Sequence, residues 1–235
     1  MERIDKIIAE QTRYSRKEVK KLILQKRIKV GGQIITKPDV KIDTGKDKIT
    51  IDEKEINIKK HIYLVLNKPK GYISATEDKA MPTVLDLVPQ EYSHRELFPA
   101  GRLDKDTTGL MIITDDGEFA HNILSPKKHI KKVYNVTLDI PVNETMVRGF
   151  KEGVQLNDGE CKTAIMQITC TNTALVTLTE GRYHQIKRMF GCYGANVVEL
   201  QRIAMGEFYL PEDLKLGECR EIMGKEMERI TSRGN

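Results

Sequence analysis

The sequence lacks most of the features that settle a protein's class at a glance. No apolar stretch approaches the roughly 18 residues that a membrane span needs; the longest uncharged one is Ile62-Tyr63-Leu64-Val65-Leu66. The chain opens Met1-Glu2-Arg3-Ile4-Asp5-Lys6, charged within its first turn, which is not how a secretory signal begins. Seventeen Gly and eight Pro recur with no period, so a collagen-like or linker protein is excluded. The four cysteines, Cys161, Cys170, Cys192 and Cys219, form no C-x-x-C pair, so they read as reduced thiols and no metal is expected. There is no G-x-x-x-x-G-K-[ST] loop, no G-x-G-x-x-G, no H-E-x-x-H and no G-x-S-x-G. Nucleotide hydrolysis, dinucleotide-dependent redox chemistry and serine hydrolysis lose their usual signatures. A soluble, cytoplasmic chain without a cofactor is the expectation.

What is present is a chain of 235 residues, 39% hydrophobic and 31% charged, enough for one or two domains with real cores. Its charge is unevenly spread. Residues 1–60 carry 17 Lys/Arg against 10 Asp/Glu, while the remainder carries 22 against 24. A basic head on a near-neutral body points to a polyanion-binding appendage beside a second activity; a solvated basic face is the simpler alternative. Within the head, Ile4, Ile7 and Ile8 mark one helix face. Ser15-Arg16-Lys17-Glu18 has the spacing of a capping box. It opens a helix that buries Val19, Leu22 and Ile23 and presents Arg16, Lys17, Lys20 and Lys21. Ile28-Lys29-Val30, the turn Gly31-Gly32, Gln33-Ile34-Ile35 and Lys48–Ile51 read as strands. A basic helix followed by a Gly turn and strand resembles the S4 RNA-binding domain over about residues 1–57.

Lys54–Lys60 reads as the connection, with 58–60 as the linker and 61–235 as the second domain. There, Ile62–Leu66, Leu110–Thr114, Val133–Leu138, Ala164–Thr169, Ala174–Thr179 and Ala195–Leu200 are strand candidates. Glu118–Leu124, Glu144–Glu152 and Tyr183–Cys192 are helix candidates. Six strands with few helices between them predict an α+β fold with a mixed, largely antiparallel sheet flanked by short helices. The tail Lys225–Asn235 carries no resemblance and reads as disordered.

One loop stands out: Gly101-Arg102-Leu103-Asp104-Lys105-Asp106-Thr107-Thr108-Gly109-Leu110, set immediately before a strand. A carboxylate in a Gly-bracketed loop at a strand mouth is where a scaffold presents a catalytic group. Taken alone, it reads first as a polar loop whose Asp residues make turn hydrogen bonds.

The full string resembles the G-R-L-D-x-x-T-x-G-L signature of the pseudouridine synthases. Further segments resemble that family in the same order: Asn67-Lys68-Pro69-Lys70-Gly71-Tyr72, Lys132-Val133-Tyr134-Asn135-Val136, Glu180-Gly181-Arg182-Tyr183-His184-Gln185-Ile186-Lys187-Arg188-Met189-Phe190, and Val198–Ile203 with Gly206. With the S4-like head, the resemblance runs to about residue 223. It implies a cofactor-independent isomerase that breaks the N1–C1′ bond of a uridine, turns the base, and joins C5 to C1′. It makes Asp104 the catalytic carboxylate, acting on the sugar as nucleophile or base. It makes Tyr134 the ring beside the base and Lys187 the cation that keeps Asp104 ionised. Arg102, Arg188, Arg182, Lys68 and Lys70 become RNA contacts together with the basic helix of the head. His184 is read as structural, and Asp106 falls outside the matched position. The S4 head points to the rRNA branch and to 16S rRNA, with a monomer as the default state. The alternatives are the same chemistry on 23S rRNA and a non-catalytic RNA-binding or ribosome-assembly factor.

Overall fold

The computed structural model describes residues 1–232, which form two compact units. The first contains Met1–His61 and Val88–Glu96. Its elements are β1 (Glu2–Arg3), α1 (Ile4–Gln11), α2 (Arg16–Leu24), β2 (Ile28–Val30), β3 (Gln33–Ile34), β4 (Lys41–Ile42), β5 (Ile49–Ile51) and β6 (Lys54–Glu55). Both arms of the capping box form at α2: Ser15 Oγ accepts from the Glu18 amide, and the Glu18 carboxylate accepts from the Ser15 amide at 2.8 Å. The helix is thereby started where its apolar stripe begins, and Val19, Leu22 and Ile23 meet Ile4, Ile7 and Ile8 in one core. Gly31 and Gly32 take φ of +55° and +83° and turn β2 into β3, a two-residue hairpin turn open to glycine and strained for most other residues.

Two sequence expectations change here. The segment read as a connection is not free: Lys54–Glu55 is an edge strand on β5, and Ile56 and Ile58 pack against the first core. Val88–Glu96, counted with the second domain by sequence, belongs to the first compact unit, where Arg95 Nη2 donates to the Lys59 carbonyl at 2.6 Å.

The second unit is built from β7 (Tyr63–Lys68), β8 (Phe98–Pro99), β9 (Thr108–Thr114), α3 (Gly117–Leu124), β10 (Lys132–Leu138), α4 (Glu144–Glu152), β11 (Gln155–Leu156), β12 (Gly159–Glu160), β13 (Ile165–Cys170), β14 (Thr173–Leu178), α5 (Gln185–Gly191), β15 (Val197–Met205), β16 (Phe208–Tyr209), β17 (Cys219–Glu221) and α6 (Gly224–Thr231). Seven strands lie in the order β13-β14-β10-β15-β9-β7-β17, with β16 beside β15 and β8 beside β9. All pairings are antiparallel except β9 with β15. The sheet is therefore mixed and largely antiparallel, in an α+β fold. Asp116 and Asn143 cap α3 and α4 through their side-chain oxygens, so each helix starts where its buried stripe begins. Leu110, Ile112, Phe119, Ile123 and Met205 form much of one core cluster.

The tail also departs from expectation. Gly224–Thr231 is helical and Ile230 is fully buried. It reaches the core beside Gly206, at φ +62°, where a Cβ would stand 2.5 Å from the Arg229 and Ile230 carbonyl oxygens. The last part of the expected disordered tail, residues 233–235, lies outside the described residues. No helix among the described residues is long and apolar enough to cross a membrane.

Candidate active site

The parallel junction of β9 and β15 organises the site. Gly109 pairs with Arg202 across it, and a Cβ at Gly109 would stand 2.2 Å from the Arg202 carbonyl oxygen. Only glycine admits that approach, and at φ +98° it also bears the backbone conformation. The junction brings the loop Gly101–Thr107, which enters β9, beside β15 and hence near β10. A cavity of about 810 Å³ opens there, within the size range of small-molecule sites. Asp104, Arg102, Tyr134, Arg182 and Lys187 all line it. Three segments far apart in sequence thus supply these side chains to one cavity.

The loop is held from behind by the end of β7 and the segment that follows it. Lys68 is fully buried, and its Nζ donates to the carbonyls of Thr107 (2.8 Å), Asp104 (3.0 Å), Pro69 (3.1 Å) and Lys105 (3.3 Å). Ser74 Oγ donates to the Leu103 carbonyl at 2.8 Å and accepts from the Leu103 amide at 2.9 Å. Burial pulls the Lys68 ammonium down to about 8, against the pull of Asp106 and Asp104. The expectation of Lys68 as an RNA contact is therefore corrected. Its charge is enclosed and its donors hold the loop's backbone.

Asp104 meets two cationic or potentially cationic groups from the segment around α5. Lys187 Nζ stands 3.6 Å from its Oδ2, and His184 Nε2 stands 3.4 Å from its Oδ1. Lys187 is closer to Asp106, reaching both carboxylate oxygens at 2.7 Å, and this bond lowers the Asp106 pKa. Lys187 therefore bridges two carboxylates rather than serving one. Sequence reasoning missed Asp106 as the nearer partner and His184 as a neighbour of Asp104. His184 sits in left-handed backbone (φ +48°, ψ +34°) at the start of α5 and stacks on Tyr183, with ring centroids 3.8 Å apart.

Two other expected RNA contacts are committed elsewhere. Arg182 donates to the carbonyls of Gly159 (2.9 Å) and Glu160 (3.1 Å) and pairs with Asp158 (2.9 Å), tying down the β11–β12 hairpin. Arg188 also pairs with Asp158 and donates to the Tyr183 carbonyl at 3.0 Å. It does not serve Asp104. Arg102 is exposed and makes no side-chain hydrogen bond or ion pair among the described residues, while Lys70 is half-exposed near Glu199 at 3.6 Å. Arg16, Lys17, Lys20 and Lys21 are exposed on α2.

The floor of the cavity holds two residues to which sequence reasoning assigned no role. Lys132 and Arg202 both line it, 6% and 1% exposed. A signal existed for Lys132. It occupies the inward position of an alternating strand whose next inward residues are Tyr134, Val136 and Leu138, all buried. No group of three or more His, Cys, Asp and Glu side chains among the described residues could hold a metal ion.

Comparisons with known proteins agree with this architecture. Residues 62–191 match the RNA pseudouridylate synthase family and residues 2–49 match the S4 domain. An RNA pseudouridine synthase of Aquifex aeolicus is 38% identical over 229 residues, covering 97% of this chain and 95% of the relative. Ribosomal small subunit pseudouridine synthase A of Escherichia coli is 38% identical over 232 residues, covering 97% and 99%. A crystal structure of a pseudouridylate synthase superposes with a TM-score of 0.69 at 37% identity, covering 98% of this chain and all of that one. A loop carboxylate lining a cavity, a mixed sheet beneath it and an S4 domain preceding both in the sequence belong together: the chain is a member of the RNA pseudouridylate synthase family.

Proposed function

We propose that this enzyme converts a uridine of 16S rRNA to pseudouridine, with Asp104 as the essential carboxylate. The observation that carries the reading is the placement of Asp104 at the cavity it shares with Tyr134, within 3.6 Å of Lys187. A carboxylate beside a cation can act at C1′ as a nucleophile or at C2′ as a base, and stabilises positive charge developing on the sugar in either case. Tyr134, buried in the cavity wall, offers a ring for the base. Arg102, the exposed arginine beside Asp104, is suited to hold a nucleotide turned out of its stack, which costs a few kcal/mol. The exposed cations of α2 provide phosphate contacts that add affinity with little sequence choice. The choice of 16S rRNA follows the Escherichia coli relative, whose name gives the small ribosomal subunit and whose whole length this chain matches. Action on rRNA puts the enzyme in the cytoplasm, and we take it to work as a monomer without a cofactor.

The test is carbodiimide mapping of unmodified 16S and 23S rRNA after incubation with the protein. Wild-type protein is expected to produce one pseudouridine stop in 16S. Asp104→Asn is expected to lower the rate by roughly 10²–10⁴-fold or more. A stop confined to 23S overturns the target, and an undiminished Asp104→Asn protein overturns the role of the aspartate.

A further inference from the structure

The cations around the cavity differ in what neutralises them. Lys187 has Asp104 and Asp106. The Lys68 ammonium has four carbonyls. Lys132 makes no side-chain hydrogen bond or ion pair among the described residues, although it is 94% buried. Arg202 donates from Nε to the Leu110 carbonyl at 2.7 Å, and its buried Nη2 has no partner among the described residues. The carboxylate whose charge acts on Lys132 is Glu180, and Glu180 Oε1 already accepts from the Lys162 amide (3.0 Å) and Gln185 Nε2 (2.7 Å).

Strand geometry puts these two cations together. Lys132 precedes Tyr134 by two residues on β10, so both side chains leave the same face of the sheet. Arg202 is the cross-strand partner of Tyr134 on β15, which places it beside that ring on the same face. A buried cation without an ion-paired carboxylate is strongly unfavourable. Burial, and after it the charge of Arg202, pull the Lys132 ammonium down to about 8. A site that keeps two such cations against one cavity wall with no carboxylate in ion-pair contact among the described residues is arranged for a negative charge that arrives from outside the chain.

We propose that Lys132, backed by Arg202, is a catalytic residue that stabilises the uracil anion released when the glycosidic bond breaks. The inference rests on the proposed reading of this cavity as the place where a uridine is isomerised. When N1–C1′ breaks, its electron pair stays with the base and spreads over N1, O2 and O4. The positive partner is C1′, which Asp104 meets directly or through loss of the C2′ proton, later returned. The base then turns, C5 donates an electron pair to C1′, and the C5 proton leaves to restore the ring. Atoms and electrons balance with no co-reactant. Donors fixed on the cavity floor act on the charge only after the bond has begun to break, so they favour the transition state over the bound uridine. A phosphate contact at the same residues would instead serve affinity.

The experiment compares wild type, Lys132→Met and Lys132→Arg in single-turnover reactions. The substrate is unmodified rRNA transcribed either with uridine or with 5-fluorouridine, whose base is the better leaving group because fluorine withdraws charge. Loss of the N1-linked nucleoside at the modified position is followed by mass spectrometry. Lys132→Met is expected to slow cleavage by about 10²-fold with uridine, the loss usual for one such donor. RNA affinity should stay within about 3-fold, while the loss with 5-fluorouridine shrinks to about 10-fold or less because less charge needs help. Lys132→Arg keeps the charge and is expected to recover part of the rate. Equal losses on the two transcripts, no loss, or a loss confined to affinity would each overturn the proposal. Wild type and variants are compared on whichever transcript, 16S or 23S, the wild type modifies. An error in the target therefore leaves the ratio readable, and an active Asp104→Asn protein counts against the aspartate alone.

Discussion

The strand that supports the Asp104 loop and the strand that floors the cavity each bury a lysine, and they treat the ammonium differently. At the end of β7, Lys68 is wrapped by four carbonyls, three of them from the loop that carries Asp104. At the start of β10, Lys132 is nearly as buried and has no such bonds. Both titrate near 8 for the same first reason, burial, so their charge state does not separate them. Their partners do. A buried cation with its donors satisfied inside the chain serves the fold, and one left uncompensated beside a cavity serves what enters it.

The largest effect that sharpens this comparison belongs to Lys68. In Lys68→Met four carbonyls lose a charged donor in a dry place, and the loop loses its tether. The variant should be destabilised by about 3–5 kcal/mol, read as a shift of the urea midpoint, with activity lost even under conditions where the chain is folded. An unchanged midpoint would mean that the Ser74–Leu103 bonds alone hold the loop.

Lys132→Met should do the reverse. Replacing an uncompensated cation with an apolar side chain of similar length is expected to stabilise the chain by about 1–3 kcal/mol at pH 7 while activity falls. The pH dependence follows from the direction of the shift. Lys132 titrates near 8 when folded and near 10.5 in an open chain. Below pH 8 both forms are charged and the burial penalty is full. Between 8 and 10.5 the folded form has lost its proton while the unfolded form still holds one, so the penalty fades. The stability advantage of Lys132→Met should therefore shrink across that window. An advantage that stays constant from pH 7 to 10 would show that packing, not charge, sets it.

The smallest effect lies on α2, where the lysines keep their water. Lys20→Ala should leave the melting temperature nearly unchanged, since a solvated surface charge contributes little to stability. If Lys20 contacts a phosphate, the variant should bind RNA more weakly. The slope of log affinity against log salt should then fall by about 0.7–0.9. Filter binding across a salt series reads this, and an unchanged slope removes Lys20 from the RNA-contacting face.

Much of the site was legible in the chain. Asp104, Tyr134 and Lys187 stand in recognisable strings, and the structure brings all three to one cavity. What failed was the assignment of cations. Lys68, Arg182 and Arg188 read as RNA contacts because Lys and Arg near an active-site string ordinarily meet phosphate. Nothing in the sequence says that Lys68 lies under carbonyls of the Asp104 loop, or that Asp158 on the β11–β12 hairpin takes both arginines. His184 read as structural for the same reason: its distance to Asp104 depends on a left-handed residue that no local pattern announces.

The strand boundaries show where the two levels part. Hydrophobic alternation ends β7 at Leu66, starts β10 at Val133 and ends β15 at Leu200. The observed strands run on to Lys68, back to Lys132 and on to Met205 through Arg202. Each boundary was drawn just short of a buried cation. The sequence by itself determined the longer strands and helices, the capping box of α2 and the strings that mark the family, because those depend on periodicity and local hydrogen bonding. Which charged residues lie inside was decided only by the tertiary structure. Burying a cation is unfavourable unless carbonyls from distant loops, or a cavity awaiting an anion, are brought against it, and only the assembled sheet does that.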